Sequence, residues 1–210
     1  MEVRAINTVV ERDIQEIISD SQIFDAFRGK LILVTGATGL IGSMVARSLI
    51  AANDAYHLSL RVICHVRNIE KAHHMFSDIV DSDILTFVDT PLESLDIACD
   101  YIMHGASPTK SKYFVEHPVD TIRTSIHGTE RMLELGKEQK IKGMVYLSSM
   151  EQYGVPYESG QVMTEDRIGY LDHLNVRSSY SESKRLCECY CKSYAVEFGV
   201  PVKIARLAQT

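Results

Sequence analysis

The sequence predicts an α/β fold, a doubly wound parallel sheet with helices on both faces. Three observations predict it. Strand-like and helix-like segments alternate along most of the 210 residues, the order expected of parallel strands joined by crossover helices. The strand segments are short, near-continuous apolar runs, as expected of strands covered on both faces. The first of them, Leu31–Thr35, runs into a turn carrying Gly36, Gly39 and Gly42 that opens a helix. Glycines there let the backbone turn tightly and approach a phosphate, and the unpaired N–H groups at the helix start favour an anion. The spacing is GxxGxxG rather than the GxGxxG of the ordinary dinucleotide turn.

Each element follows in order. Over residues 8–27, Val10, Ile14, Ile17 and Ile18 recur at helical spacing, which predicts an N-terminal helical arm within 1–28. Such an arm packs either on the core or on a partner. The main domain then spans 29–210. Helix is expected from Leu40 to Ala52, a loop over 53–59, and a second strand over Leu60–Val66. Arg67 follows that strand, with Lys71 one turn on. At this place an acid selects the 2′-OH of NAD and an arginine accommodates the 2′-phosphate of NADP; two solvated cations at a helix start fit the pattern equally well. Further strands are expected at Ile84–Val88, Tyr101–His104, Gly143–Leu147 and Val202–Leu207, with helices over 119–139 and 180–198. Residues 155–178 read as a long polar loop of the kind that often binds or covers a ligand.

Composition sets limits. The chain carries 22 Lys and Arg against 28 Asp and Glu, a net charge of −6. No basic stripe points to nucleic acid, and no apolar run approaches the length of a membrane span. Five cysteines without paired metal spacing suggest free thiols, no metal and a reducing cytoplasm. Cys187, Cys189 and Cys191 fall in a helical pattern, where steps of two point to different faces.

Tyr180 and Lys184 form a YxxxK pair. Residues four apart share a helix face, so the Lys184 ammonium is expected beside the Tyr180 phenol, favouring phenolate. Tyr180 would then act as acid and base near neutral pH. Ser149, after the fifth strand, is placed to hydrogen-bond the same substrate oxygen.

The segments TGATGLIGS, YLSSMEQYG, YSESK and IARLAQT, in that order, resemble the extended short-chain dehydrogenase/reductases, in particular the NAD(P)-dependent epimerase/dehydratase group acting on nucleotide sugars. The resemblance implies a Rossmann-type NAD(P)-binding domain over 29–210. It places the cofactor pyrophosphate on Gly36, Gly39 and Gly42, with Thr38, Leu40 and Ile41 of the same turn. Asp89 would meet the adenine beside Thr90, and Ala106 and Ser107 would line the cofactor. Ser125 stands where the group often has asparagine. Ser149, Tyr180 and Lys184 would form the catalytic triad, Tyr180 and Lys184 also touching the cofactor. Glu151 matches a glutamate shared by the 4,6-dehydratases and the UDP-glucuronate decarboxylases. Met150 replaces the dehydratase aspartate, which counts against simple dehydration, and HGASPTKSKYFVEHP resembles the decarboxylases. Gln209 takes the place of an asparagine and would donate to sugar or phosphate.

The implied activity passes through a transient 4-keto sugar. It uses a retained NAD, or NADP given Arg67, on a UDP- or dTDP-sugar, with Glu151 as a further base. The implied assembly is a homodimer through the helices at 119–139 and 180–198. Members of the group continue past the point reached at Thr210, so the C-terminal substrate-binding portion is expected to be missing. Two alternatives are a non-catalytic dinucleotide-binding module and an NADPH-dependent carbonyl reductase.

Overall fold

The computed structural model describes residues 8–79, 84–158, 160 and 162–208. Its strands are β1 (Leu31–Thr35), β2 (Arg61–His65), β3 (Leu85–Val88), β4 (Tyr101–His104), β5 (Gly143–Ser149) and β6 (Val202–Leu207). They form one parallel sheet in the order β3-β2-β1-β4-β5-β6. The order reverses between β1 and β4, which opens a crevice at the carboxyl ends of the strands. The expected doubly wound parallel sheet is therefore present.

The helices are α1 (Thr8–Ile17), α2 (Leu40–Tyr56), α3 (Ile69–Met75), α4 (Ser111–Glu116), α5 (Pro118–Gln139) and α6 (Ser179–Glu197). Alternate residues of a strand face opposite ways, and the core divides accordingly. Ile32, Val34, Val62 and Cys64 pack with Ala46, Leu49 and Ile50 of α2. Leu33, Ile102, Met144 and Tyr146 pack with Met132, Leu133 and Leu135 of α5 and Cys187 and Cys191 of α6. Cys189, between those two thiols, is exposed.

The helix expected over 8–27 is two pieces. α1 stops at Ile17, where the Ser19 hydroxyl donates to the Glu16 carbonyl. Asp20 then accepts from the Gln22 N–H and starts a 3-10 helix over Ser21–Phe27. Serine and aspartate offer the backbone these local bonds in place of the helical ladder. Ile14, Ile18 and Phe24 are buried in the same cluster as β1, so the arm packs on the core. α2 runs to Tyr56 and not to Ala52, and closes on His57 in the left-handed conformation. β5 continues to Ser149 because that residue still pairs with Leu207. Within the polar stretch 155–178, Val155 bridges Tyr170. The Arg185 guanidinium holds the segment in place by donating to the carbonyls of Gln152, Tyr153 and Gly169.

On the α2 side, beside β4 and β5, a trough of about 800 Å³ stays open, lined by Phe27, Met44, Tyr101, Val145 and Leu147.

The glycine turn is tightly built. Gly36 has φ +72°, and a Cβ there would lie 2.8 Å from the Gly105 carbonyl carbon. A Cβ on Gly42 would lie 2.3 Å from the Gly36 carbonyl oxygen. Gly42→Ala is accordingly expected to lower stability by about 2 kcal/mol, an overpacking cost that outweighs the helix preference of alanine. A urea midpoint that stays put or rises in this variant would show that the turn yields.

Candidate active site

The crevice is a cleft of about 570 Å³. At one end Gly36, Gly39, Leu40, Ile41 and Gly42 line it; at the other stand Ser149, Glu151, Arg177, Tyr180 and Lys184. α2 starts from Gly39 with no side-chain cap. Its first-turn N–H groups therefore keep the unmet donor capacity that a helix start presents to an anion. A pyrophosphate fits these residues: donors without a cap, at a turn with no side chain in the way. Ser107 also lines the cleft.

Other residues predicted for the cofactor sit differently. Thr38 and Ala106 are half-buried next to the lining residues, and the Ala106 N–H donates to the Thr35 hydroxyl oxygen at 3.1 Å. Arg67, Asp89 and Thr90 are exposed past the ends of β2 and β3, outside the cleft wall. Asn68, beside Arg67, caps α3 by accepting from the Lys71 N–H. Ser125 is buried on α5 with its hydroxyl unpartnered, and it too is absent from the cleft wall. Gln209 lies outside the described residues. Among the described residues no cluster of His, Cys, Asp or Glu is suited to a metal.

β5 delivers Ser149, and the first turns of α6 deliver Tyr180 and Lys184. The Tyr180 phenol hydrogen-bonds the Ser149 side chain. Lys184 is buried; its ammonium donates to the Leu147 carbonyl at 2.7 Å and lies 4.8 Å from the Tyr146 ring and 5.6 Å from the Tyr180 ring. Burial lowers the Lys184 amine to about 8. The expected lowering of the Tyr180 phenol does not occur. Burial raises it, and the bond to Ser149 opposes this only in part. The Lys184 charge is spent on a carbonyl and on ring faces, and desolvation of the phenolate prevails.

Glu151 is not a free carboxylate. Arg177 grips it with two contacts of 2.9 Å, and the Ser181 hydroxyl donates to it at 3.2 Å. The Arg177 guanidinium lies 5.0 Å from the Phe114 ring centre, and Phe114 stacks on Tyr180 at 4.3 Å with ring planes 3° apart. The base expected at Glu151 is thus held in an ion pair. Sequence reasoning missed Arg177 and Phe114. Arg177 lies three residues before Tyr180, close to one helical turn, which was its one signal.

Below the cleft runs a buried polar row. Thr35 pairs in register with His65 on one side and His104 on the other, and His104 with Tyr146. The Thr35 hydroxyl oxygen accepts from the N–H groups of Gly105 and Ala106, so its proton points to His104 Nδ1 at 2.7 Å. His104 Nε2 then donates to the Thr129 hydroxyl oxygen at 3.2 Å, and Thr129 donates to the Ser125 carbonyl. These partners assign His104 as a neutral ring protonated on Nε2. Burial, then the charges of Lys184 and His65, lowers it to about 3.

Fold and cleft together define a Rossmann-type dinucleotide fold with a serine–tyrosine–lysine site. The chain belongs to the NAD dependent epimerase/dehydratase family, whose model matches residues 32–210. UDP-glucuronic acid decarboxylase 1 of Danio rerio is 31% identical over 186 residues, 86% of this chain and 41% of the relative. UDP-glucuronic acid decarboxylase 6 of Arabidopsis thaliana is 31% identical over 183 residues, 85% of this chain and 50% of the relative. The chain thus spans half or less of the length of these relatives. Among solved structures, the epimerase Mth375 of Methanothermobacter thermautotrophicus superposes with TM-score 0.73 at 23% identity, over 91% of this chain and 55% of that one. The UDP-glucuronic acid 4-epimerase of Bacillus cereus, in complex with UDP-glucuronic acid and NAD, gives 0.69 at 23% identity, over 84% and 55%. At these identities the structures report a shared fold.

Because His104 ordinarily titrates at 6.5 and here only near 3, the unfolded chain binds more protons between those values. The stability this neutral ring contributes is present in full above pH 6.5 and is lost as pH falls toward 3. In His104→Gln the fall in stability over that window is expected to be shallower, by up to about 1.4 kcal/mol per pH unit. Urea titrations at stepped pH read this directly, and parallel curves for the two proteins would refute it.

Proposed function

We propose that this chain carries the cofactor-binding and acid–base half of an NAD-dependent nucleotide-sugar enzyme that works through a transient 4-keto sugar. The observation that supports this most is the single cleft joining an uncapped helix start to Ser149, Tyr180 and Lys184. Gly36, Gly39, Leu40, Ile41 and Gly42 would hold the pyrophosphate, with Ser107 beside it. A nicotinamide dinucleotide supplies reversible hydride transfer at a sugar carbon. Tyr180 removes the proton from the hydroxyl on that carbon and later returns it. Ser149 hydrogen-bonds the same oxygen, and Lys184 supplies positive charge beneath the phenol. Where the second step removes the C–H proton made acidic by the neighbouring ketone, Glu151 serves as its base; where carbon dioxide leaves instead, the enolate left behind takes up a proton and no base is needed.

The decarboxylase relatives at 31% identity and Met150 in place of an aspartate favour an acidic sugar, converted by loss of carbon dioxide or by epimerisation. Arg67 leaves NADP admissible as cofactor. A homodimer through α5 and α6 fits the exposed Val119, Ile122 and Leu186 on those helices.

Incubation of the frame-complete protein with UDP- and dTDP-hexoses and hexuronic acids plus NAD or NADP, followed by mass spectrometry, tests the reading. Loss of carbon dioxide identifies a decarboxylase, loss of water a dehydratase, and an unchanged mass with a new stereoisomer an epimerase. Dinucleotide binding with every sugar left unaltered would favour the non-catalytic module. Tyr180→Phe is expected to slow turnover by about 10³-fold while dinucleotide binding, followed by fluorescence titration, persists. Equal turnover in the variant would remove Tyr180 from the chemistry.

A further inference from the structure

We propose that Arg177 is the residue that distinguishes an acidic sugar from a neutral one, by exchanging Glu151 for a carboxylate on the ligand. The inference rests on the nucleotide-sugar reading above and adds to it a residue and a mechanism of selection.

Arg177 and Glu151 face the same cleft as Ser149 and Tyr180. Their side chains are 37% and 33% exposed, so the pair lies on the cleft wall and a ligand can reach it. The guanidinium fork matches a carboxylate with two parallel bonds, and Glu151 shows it gripping one in just this way, at 2.9 Å twice. Among the described residues its Nε–H has no acceptor, which leaves a donor in reserve.

The fork is also held independently of Glu151. It lies over Phe114, and Phe114 stacks on Tyr180; the Ser179 hydroxyl further ties α6 to the Phe114 carbonyl at 3.3 Å. Losing Glu151 therefore leaves the guanidinium at a fixed offset from the Tyr180 phenol. Glu151 in turn keeps its bond from Ser181 and so stays in place when its counterion leaves.

The charges make the exchange selective. With the pair closed, this wall of the cleft carries no net charge, and a neutral sugar gains nothing by opening it. A ligand carboxylate brings its own negative charge and competes for the fork on equal chemical terms. Once displaced, Glu151 has lost its counterion and becomes the better proton acceptor, next to the reacting sugar. An acidic ligand thereby frees Glu151 beside the reacting sugar, where a neutral one leaves it paired. No bond is made or broken in the exchange.

The test is calorimetric titration of the NAD-loaded, frame-complete protein with UDP-glucuronate and with UDP-glucose, for wild type, Arg177→Met, Arg177→Lys and Glu151→Gln. Wild type is expected to prefer the acid. Arg177→Met should lose about tenfold or more in affinity for the acid, the scale of one charge-assisted contact, with UDP-glucose changed by less than about twofold. Arg177→Lys should recover part of the preference. Glu151→Gln, which removes the competitor, should tighten the acid alone. A merely structural Arg177 would weaken both sugars together, and that result overturns the inference, as does equal affinity of the wild type for both. Should Arg177→Met fail to bind NAD and so prove misfolded, Glu151→Gln decides: no gain for the acid overturns the inference. Failure of wild type to bind either sugar while NAD binds removes the nucleotide-sugar reading itself, and the inference falls with it.

Discussion

Thr35 fastens the two strands between which the sheet reverses. Its hydroxyl oxygen takes the N–H groups of Gly105 and Ala106 and gives its proton to His104. That fixes the turn after β4 against the turn after β1, at a distance where Gly36 has no room for a side chain. The cleft exists because of this closeness. Its floor is the joined pair of turns, and its mouth is whatever the longer loops leave open. A valine at position 35 would keep the strand and lose all three bonds, leaving the buried His104 ring and the half-buried Ala106 N–H without them, while the Gly105 N–H keeps the Thr35 carbonyl.

The reacting end of the cleft is organised more by burial than by charge. Lys184 is buried and given a carbonyl and two ring faces in compensation. Tyr180 is buried and given a serine and a stacked phenylalanine. Each is thereby pushed toward its neutral form, the amine downward and the phenol upward. The two shifts carry apart proton affinities that nearly match in water, so the phenol holds its proton more tightly than the amine does. Behind them, Glu188 accepts from the Ser148 hydroxyl and from the Arg206 guanidinium. This ties β5, β6 and α6 into one rigid backing for the site.

Much of this was legible in the sequence, and for physical reasons. Parallel strands covered on both faces are continuous apolar runs, so their number and order of appearance could be read, and β4 and β6 fall on the expected residues. A glycine turn between strand and helix has few other uses, so that end of the cleft was visible too. What stayed hidden depends on contacts between distant segments. Arg177 and Glu151 are 26 residues apart, and nothing local marks them as partners. The direction of the Tyr180 shift depends on how much water reaches the phenol and on where the Lys184 ammonium finds its acceptor, neither of which a YxxxK spacing records. The break in the N-terminal arm turned on Ser19 and Asp20, two residues whose side-chain bonds outweighed the apolar periodicity around them.

The two faces of the sheet are unequal. One is sealed by α5 and α6, while the other leaves the trough along β4 and β5 in contact with water. An apolar dye that reports unfolding does so by finding surface of this kind, and here the folded chain already offers it. Fluorescence in a dye-based melting experiment will therefore start high, and the rise on unfolding will be correspondingly small. Melting of this protein is better followed by the signal of its backbone than by any probe that seeks exposed hydrocarbon.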